Sequence, residues 1–70
     1  MTSSIGITVN GEPRETQGGA TVLDLLRDLG LNPGRVAIER NREILPRRHW
    51  SEARVEKGDT FEIVQFVGGG

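Results

Sequence analysis

The stretch TVLDLLRDLG, residues 21–30, is the most fully specified piece of this chain. Val22, Leu25, Leu26 and Leu29 recur at i, i+3, i+4 and i+7, which sets one apolar stripe along a helix. Thr21 stands where an N-cap belongs, and Asp24 holds the third helical position, so the pair approximates a capping box. Arg27 and Asp28 fall on the opposite, solvent-facing side. Gly30 occupies the position at which a left-handed residue closes a helix, and Pro33 blocks its early resumption. With few other apolar residues available for a core, the leucine stripe is read as core packing rather than as a surface for a partner.

Strand signals lie on both sides of this helix. Ile5, Ile7 and Val9 alternate with Gly6 and Thr8, the period of two that lays one strand face on a core. Asn10-Gly11 follows, the strongest short signal for a type I′ hairpin because both central residues need positive φ. Residues 12–16 should therefore return antiparallel, and their polarity together with Pro13 suits an edge. After the helix, residues 36–39 (VAIE) read as a third strand. Asn41 and Arg42 form a tight turn, with Arg42 where glycine would be easier, and Ile44-Leu45 is a short apolar pair that Pro46 ends. Residues 47–50 (RRHW) read as an irregular or single-turn piece, with Trp50 as a lid on a small core. Lys57-Gly58-Asp59 marks a turn before the final strand, residues 60–67 (TFEIVQFV).

That final strand, expected to lie centrally beside the first, contains the ambiguous step. Phe61 and Ile63 face one way, but Val64 and Phe66 continue the side begun by Glu62. Either a bulge returns Phe66 to the core, or Val64 and Phe66 form an exposed apolar patch. The whole order predicts an α+β domain with four or five short strands and one main helix packed across one sheet face.

Composition bounds the function. Seventy residues make one small domain with a thin core. There is no cysteine, so neither a disulfide nor a cysteine metal site contributes, in keeping with a reducing cytoplasm. The start of the sequence lacks signal-peptide character, and no apolar run is long enough for a membrane span. Nine Lys and Arg against ten Asp and Glu leave a net charge of −1, which argues against general nucleic-acid binding. Six arginines lie between Arg35 and Arg54, interleaved with Glu39, Glu43 and Glu52. They read either as solvated faces or as a docking surface for an acidic partner.

Enzyme chemistry finds no constellation. His49 is the single histidine, Ser51 beside it has no orienting acid at useful spacing, the carboxylates are scattered singly, and the GGAT stretch lacks a Walker lysine. What stands out is the ending FVGGG. Three extended glycines reach about 10 Å past the last strand, a filament without side chains that carries a carboxylate. Such a filament is either frayed slack or a working end that enters a narrow channel. There its carboxylate could attack the α-phosphate of ATP, expel pyrophosphate, and as an acyl-adenylate exchange AMP for sulfur. The absence of an internal thiol is compatible with such an electrophile.

Taken together, the segments ITVNGEPRE, TVLDLLRDLGL, VAIERNREILPRRHW and EKGDTFEIVQFVGGG resemble, in order and spacing, the sulfur carrier proteins of thiamine biosynthesis, the ThiS family of ubiquitin-like β-grasp proteins. The most specific parts are ILPR, the GD turn and the strand running into terminal glycines. The resemblance implies a β-grasp domain over residues 1–66 and a flexible glycine tail over residues 67–70. It implies a protein co-substrate rather than an enzyme, with no bound cofactor; ATP and metal are used by the partner. Gly70 would be the residue adenylated by a ThiF-like activating enzyme and converted to a thiocarboxylate. Gly69 and Gly68 would complete the tail, and Val64, Phe66 and Val67 would be docking candidates. A sulfur donor system would load the tail, and a ThiG-like thiazole synthase would receive the sulfur. The alternatives are the small sulfur-carrier subunit of molybdopterin synthase, a ubiquitin-like modifier, and an interaction or RNA-binding module with an idle tail.

Overall fold

The structure, a computed structural model, describes residues 3–66. Strand β1 (Ser4–Val9) turns through Asn10 and Gly11, with φ of 52° and 82°, into the antiparallel β2 (Glu12–Gln17). The positive φ at both central positions is the feature the Asn-Gly pair supplies. Helix α1 (Val22–Asp28) follows, and Gly30 leaves it at φ 74°, the left-handed exit expected of that glycine. A single 3-10 turn (Pro33–Arg35) leads to β3 (Val36–Arg40), then to the two-residue β4 (Glu43–Ile44), a second 3-10 turn (Arg47–His49) and finally β5 (Thr60–Gln65).

The five strands form one mixed sheet in the order β2-β1-β5-β3-β4. The last strand is indeed central, parallel to β1 and antiparallel to β3. Flanked by β1 and β3, it buries Phe61 and Ile63 on the helix-facing side, as each of those neighbours buries two apolar residues of its own. Ile7, Val9, Val36, Ile38, Phe61 and Ile63 meet Val22, Leu25 and Leu26 of the helix, with Trp50 and Val55 closing the same core. At 25 cal/mol per Å2 or so, each fully buried large side chain here stabilises the fold by roughly 1.5–3 kcal/mol.

The capping box forms. The Asp24 amide donates to Thr21 Oγ1 at 3.1 Å, and the Thr21 amide donates to Asp24 Oδ2 at 3.0 Å. Two further amides of the first turn, which no helix can satisfy internally, donate to the chain that returns over it: Val22 to the Ala53 carbonyl at 2.9 Å and Leu23 to the Trp50 carbonyl at 3.0 Å. Trp50 is 3% exposed and its indole N–H donates to the Leu45 carbonyl, so it is an inner member of the core rather than the lid expected. Val55 is equally buried and had no periodic signal, because it lies in an irregular segment.

The two tight turns share a device. Asn10 and Asn41 both have φ of 52°, and both reach onto β5. Asn10 Oδ1 accepts from the Ile63 amide at 2.8 Å while its Nδ2 donates to the Ile63 carbonyl at 3.2 Å. Asn41 Oδ1 accepts from the Thr60 amide at 2.9 Å, and its Nδ2 donates to Asp59 Oδ1 at 3.2 Å. Arg42, next in the second turn, has φ of 72°, the strained position that its sequence place implied. Asp59, 7% exposed, also accepts from Arg40 Nη2 at 2.7 Å and Nε at 3.0 Å and from the Glu56 amide at 2.8 Å. Its buried carboxylate is thus fully engaged, as burial of a charge requires.

The hydrogen bonds from Thr21, first its backbone amide and then its hydroxyl, hold the Asp24 carboxyl below its usual range. A depressed carboxylate stabilises the fold above its unfolded value, and that contribution disappears as pH falls through the lowered folded value. Thr21→Ala should raise the Asp24 pKa in an NMR titration and lower the melting temperature near neutrality, with the difference from wild type shrinking as pH drops below 3.8. Asn10→Gly preserves the turn conformation but removes both bonds to Ile63, and should cost about 1–2 kcal/mol in urea denaturation. An unchanged midpoint would show that the clamp is dispensable.

Candidate functional site

Strand β5 keeps its alternation to the end. Its pairing with β3 runs without interruption from Arg40↔Phe61 through Val36↔Gln65, so no bulge turns Phe66 inward. Of the two readings left open by the sequence, the exposed patch is the one that forms: Val64 is 59% and Phe66 55% exposed. The regular strand stops at Gln65, two residues short of the expected end, and the Phe66 amide donates to the Arg35 carbonyl at 2.8 Å. Val67, Gly68, Gly69 and Gly70 lie outside the described residues.

Register places the neighbours of Val64 and Phe66. Val64 pairs with Ala37, Glu62 with Glu39, and Glu39 with Ile44, so these side chains share the sheet face opposite the helix. Ile44 is 79% exposed, and the sequence reading had assigned it no function. The missed signal was the same alternation: Leu45 is partly buried against the core, so its neighbour in a strand must point outward. Ile44, Ala37, Val64 and Phe66 make an apolar strip on this face, bordered by Glu39 and Glu62, the sort of patch that marks an interaction surface.

Two shallow grooves cross this strip. One, of about 250 Å3, runs between Ile44, Leu45, Pro46, Arg47, Trp50 and Phe66. The other, of about 220 Å3, lies between Ala37, Glu39, Ile44, Glu62 and Val64. Arg47 bounds the first groove, with its guanidinium over the Trp50 ring at 5.3 Å. The arginine-rich segment is otherwise used inside the fold: Arg40 holds Asp59, and Arg54 donates to the Gly19 carbonyl at 2.6 Å. Three of its six arginines are thereby committed to structural contacts, which weakens its reading as a docking surface for an acidic partner. Among the described residues, no three His, Cys, Asp or Glu side chains are grouped to hold a metal ion. No described helix is long and apolar enough to cross a membrane.

A five-stranded mixed sheet with a helix packed on one face is an architecture that comparison with known proteins places. The ThiS family model matches residues 7–70. This chain belongs to the ThiS family. The sulfur carrier protein ThiS of Escherichia coli is 31% identical over 64 residues, 91% of this chain and 97% of that protein. The crystal structure of the thiamine biosynthesis protein ThiS from Geobacter metallireducens superposes with a TM-score of 0.80 at 33% identity, covering 94% of this chain and 100% of that one. The fold is the ubiquitin-like β-grasp. A protein of Paramagnetospirillum magneticum named thiazole synthase is 44% identical over 64 residues, 91% of this chain. This chain spans 20% of that relative's length, so a ThiS-like stretch is a minor part of that polypeptide.

Exposure separates the residues of the strip from those of the core, and substitution should report it. Val64→Ser and Phe66→Ser should each move stability by no more than about 0.5 kcal/mol, whereas Phe61→Ala, emptying a fully buried site, should cost about 3–5 kcal/mol. Thermal denaturation monitored by circular dichroism checks the contrast. A large loss from Phe66→Ser would mean that the strip packs against the domain.

Proposed function

We propose that this ThiS-family chain is a sulfur carrier for thiamine biosynthesis and that it carries sulfur as a thiocarboxylate on Gly70. The observation that carries the reading is the uninterrupted β5: it presents an exposed apolar strip, and the sequence that follows it runs into glycines. Family membership supports the carrier role, and the near full-length match to a sulfur carrier protein ThiS supports it further. The chain acts as a protein co-substrate, and the chemistry of activation belongs to its partner.

The steps follow from what the ending can do. An activating enzyme of the ThiF kind binds ATP and a metal ion and guides the glycines to the α-phosphate. A carboxylate oxygen of Gly70 forms the P–O bond while the bond to pyrophosphate breaks. A sulfur nucleophile then forms a C–S bond at the acyl carbon, and AMP leaves with the C–O bond's electron pair. The resulting thiocarboxylate sulfur passes to a ThiG-like thiazole synthase. Side chains in the last three positions would obstruct a close-fitting channel, and glycine has none. The apolar strip of Val64 and Phe66, with Val67 as its continuation in sequence, is where the partner grips the domain. A relative in which a ThiS-like stretch lies within a protein named thiazole synthase supports that pairing of carrier and acceptor.

Incubation of the chain with a ThiF-type enzyme, ATP and a sulfur source should produce a species in which one sulfur replaces one oxygen, read by intact mass spectrometry and located on Gly70 by fragmentation. Removal of Gly69 and Gly70 should abolish the product and leave the circular dichroism spectrum unchanged. Product from the truncated chain would overturn the assignment, and recovery of the chain joined to lysines as branched peptides would make it a modifier instead.

A further inference from the structure

On the exposed face of the sheet, Glu39 and Glu62 occupy directly paired positions on β3 and β5. Like charges directly opposite one another in an antiparallel ladder weaken the sheet. Both carboxylates are exposed, and among the described residues neither takes part in an ion pair. Other charges of this fold are placed differently: Arg40 and Asp59 are joined, and Asp24 serves the helix cap. The Glu39 and Glu62 pair therefore has no compensating charge among the described residues of the domain. It also interrupts an otherwise apolar strip, since the groove it borders has Ala37, Ile44 and Val64 as its remaining side-chain walls on that face.

A groove with two carboxylates and aliphatic walls is complementary to one type of side chain. The stem of a lysine or arginine can lie along Ile44 and Val64 while its cationic head sits between the two acids. In water such a pairing contributes little, but inside a closed interface the surrounding apolar side chains exclude solvent and strengthen it. The repulsion between the glutamates would be relieved at the same moment, so the cation is favoured over any neutral side chain.

We propose that the groove between Glu39 and Glu62 seats an arginine or lysine of the ATP-dependent enzyme that activates Gly70; this rests on the carrier reading above. The choice of that partner follows from charge. A protein that binds the phosphates of ATP and draws in a carboxylate surrounds its site with positive potential. The domain that feeds its own anionic end into that site gains by presenting negative charge alongside its apolar strip. The neighbouring groove by Ile44, Pro46 and Phe66 takes an apolar side chain of the same partner surface, so recognition reads an apolar and a basic residue side by side.

The test measures ATP–pyrophosphate exchange by the activating enzyme as a function of carrier concentration, for wild type, Glu39→Lys, Glu62→Lys, the double variant Glu39→Gln/Glu62→Gln, and Glu52→Lys as a charge control on another part of the surface. Each groove lysine should raise KM for the carrier about tenfold or more with kcat unchanged. Added salt should raise KM for wild type and leave that of the double glutamine variant nearly flat. That variant should melt at or above the wild-type temperature, which separates lost docking from lost folding. A change of less than about twofold in KM for both lysine variants, or an equal effect from Glu52→Lys, would overturn the proposal. So would an effect confined to sulfur transfer to thiazole synthase with exchange unaltered, since the cation would then belong to the other partner. Wild-type chain that supports no exchange at all would remove the carrier reading itself, and this proposal with it.

Discussion

The structure depends on how β5 is held. A strand that enters last and must lie in the middle of the sheet has to find its register between two strands made earlier in the chain. In this protein the register is set by backbone pairing and by two asparagine amides. Asn10 brackets the Ile63 peptide from the β1 side, and Asn41 brackets Thr60 from the β3 side, where its own amide also donates to the Thr60 carbonyl at 2.7 Å. An asparagine amide imitates a peptide group, so each turn residue adds side-chain bonds to β5 beside the one its backbone amide makes, to the Phe61 carbonyl for Asn10 and the Thr60 carbonyl for Asn41. A slip of one residue would break these bonds and turn Phe61 and Ile63 out of the core.

This same constraint produces the candidate functional surface. Once Phe61 and Ile63 are locked inward, Val64 and Phe66 have to point outward, and Ala37, Glu39 and Ile44 join them through the pairing of β3 with β5 and β4. The exposed strip is therefore a consequence of the register that builds the core. Asp59 reinforces it at the start of β5, where Arg40, Asn41 and the Glu56 amide converge on one carboxylate. The strand thus has one face in the core and the other exposed, with its side chains held in fixed positions by pairing on both edges. A loop in its place would leave more entropy to be lost on docking.

The helix shows a different division of labour. Its cap, its stripe and its glycine exit are all local, and each appears in the structure as the sequence implied. Its placement is not local. The amides of Val22 and Leu23 are satisfied by carbonyls of Ala53 and Trp50, so the irregular chain between the second 3-10 turn and β5 fastens the start of the helix. That explains why Trp50 is an interior residue and why Val55 is in the core. Both positions are buried by contacts with residues about thirty positions away, beyond any periodic pattern.

Sequence by itself determined the α+β class, the hairpin at Asn10-Gly11, the boundaries of the helix and the edge character of the second strand. Each rests on interactions within a few residues: positive φ in a turn, a side chain capping its own helix, apolar spacing matched to one period. It left two outcomes open for the last strand, because a bulge and a regular continuation read alike along one chain. Tertiary structure decided between them through the partner strand β3, whose continuous register forbids the bulge. It also brought Ile44, separated from Phe66 by more than twenty residues, onto the same strip, and set Glu39 opposite Glu62. Adjacency across strands is fixed by hydrogen-bond register, and register is a property of two chain segments together.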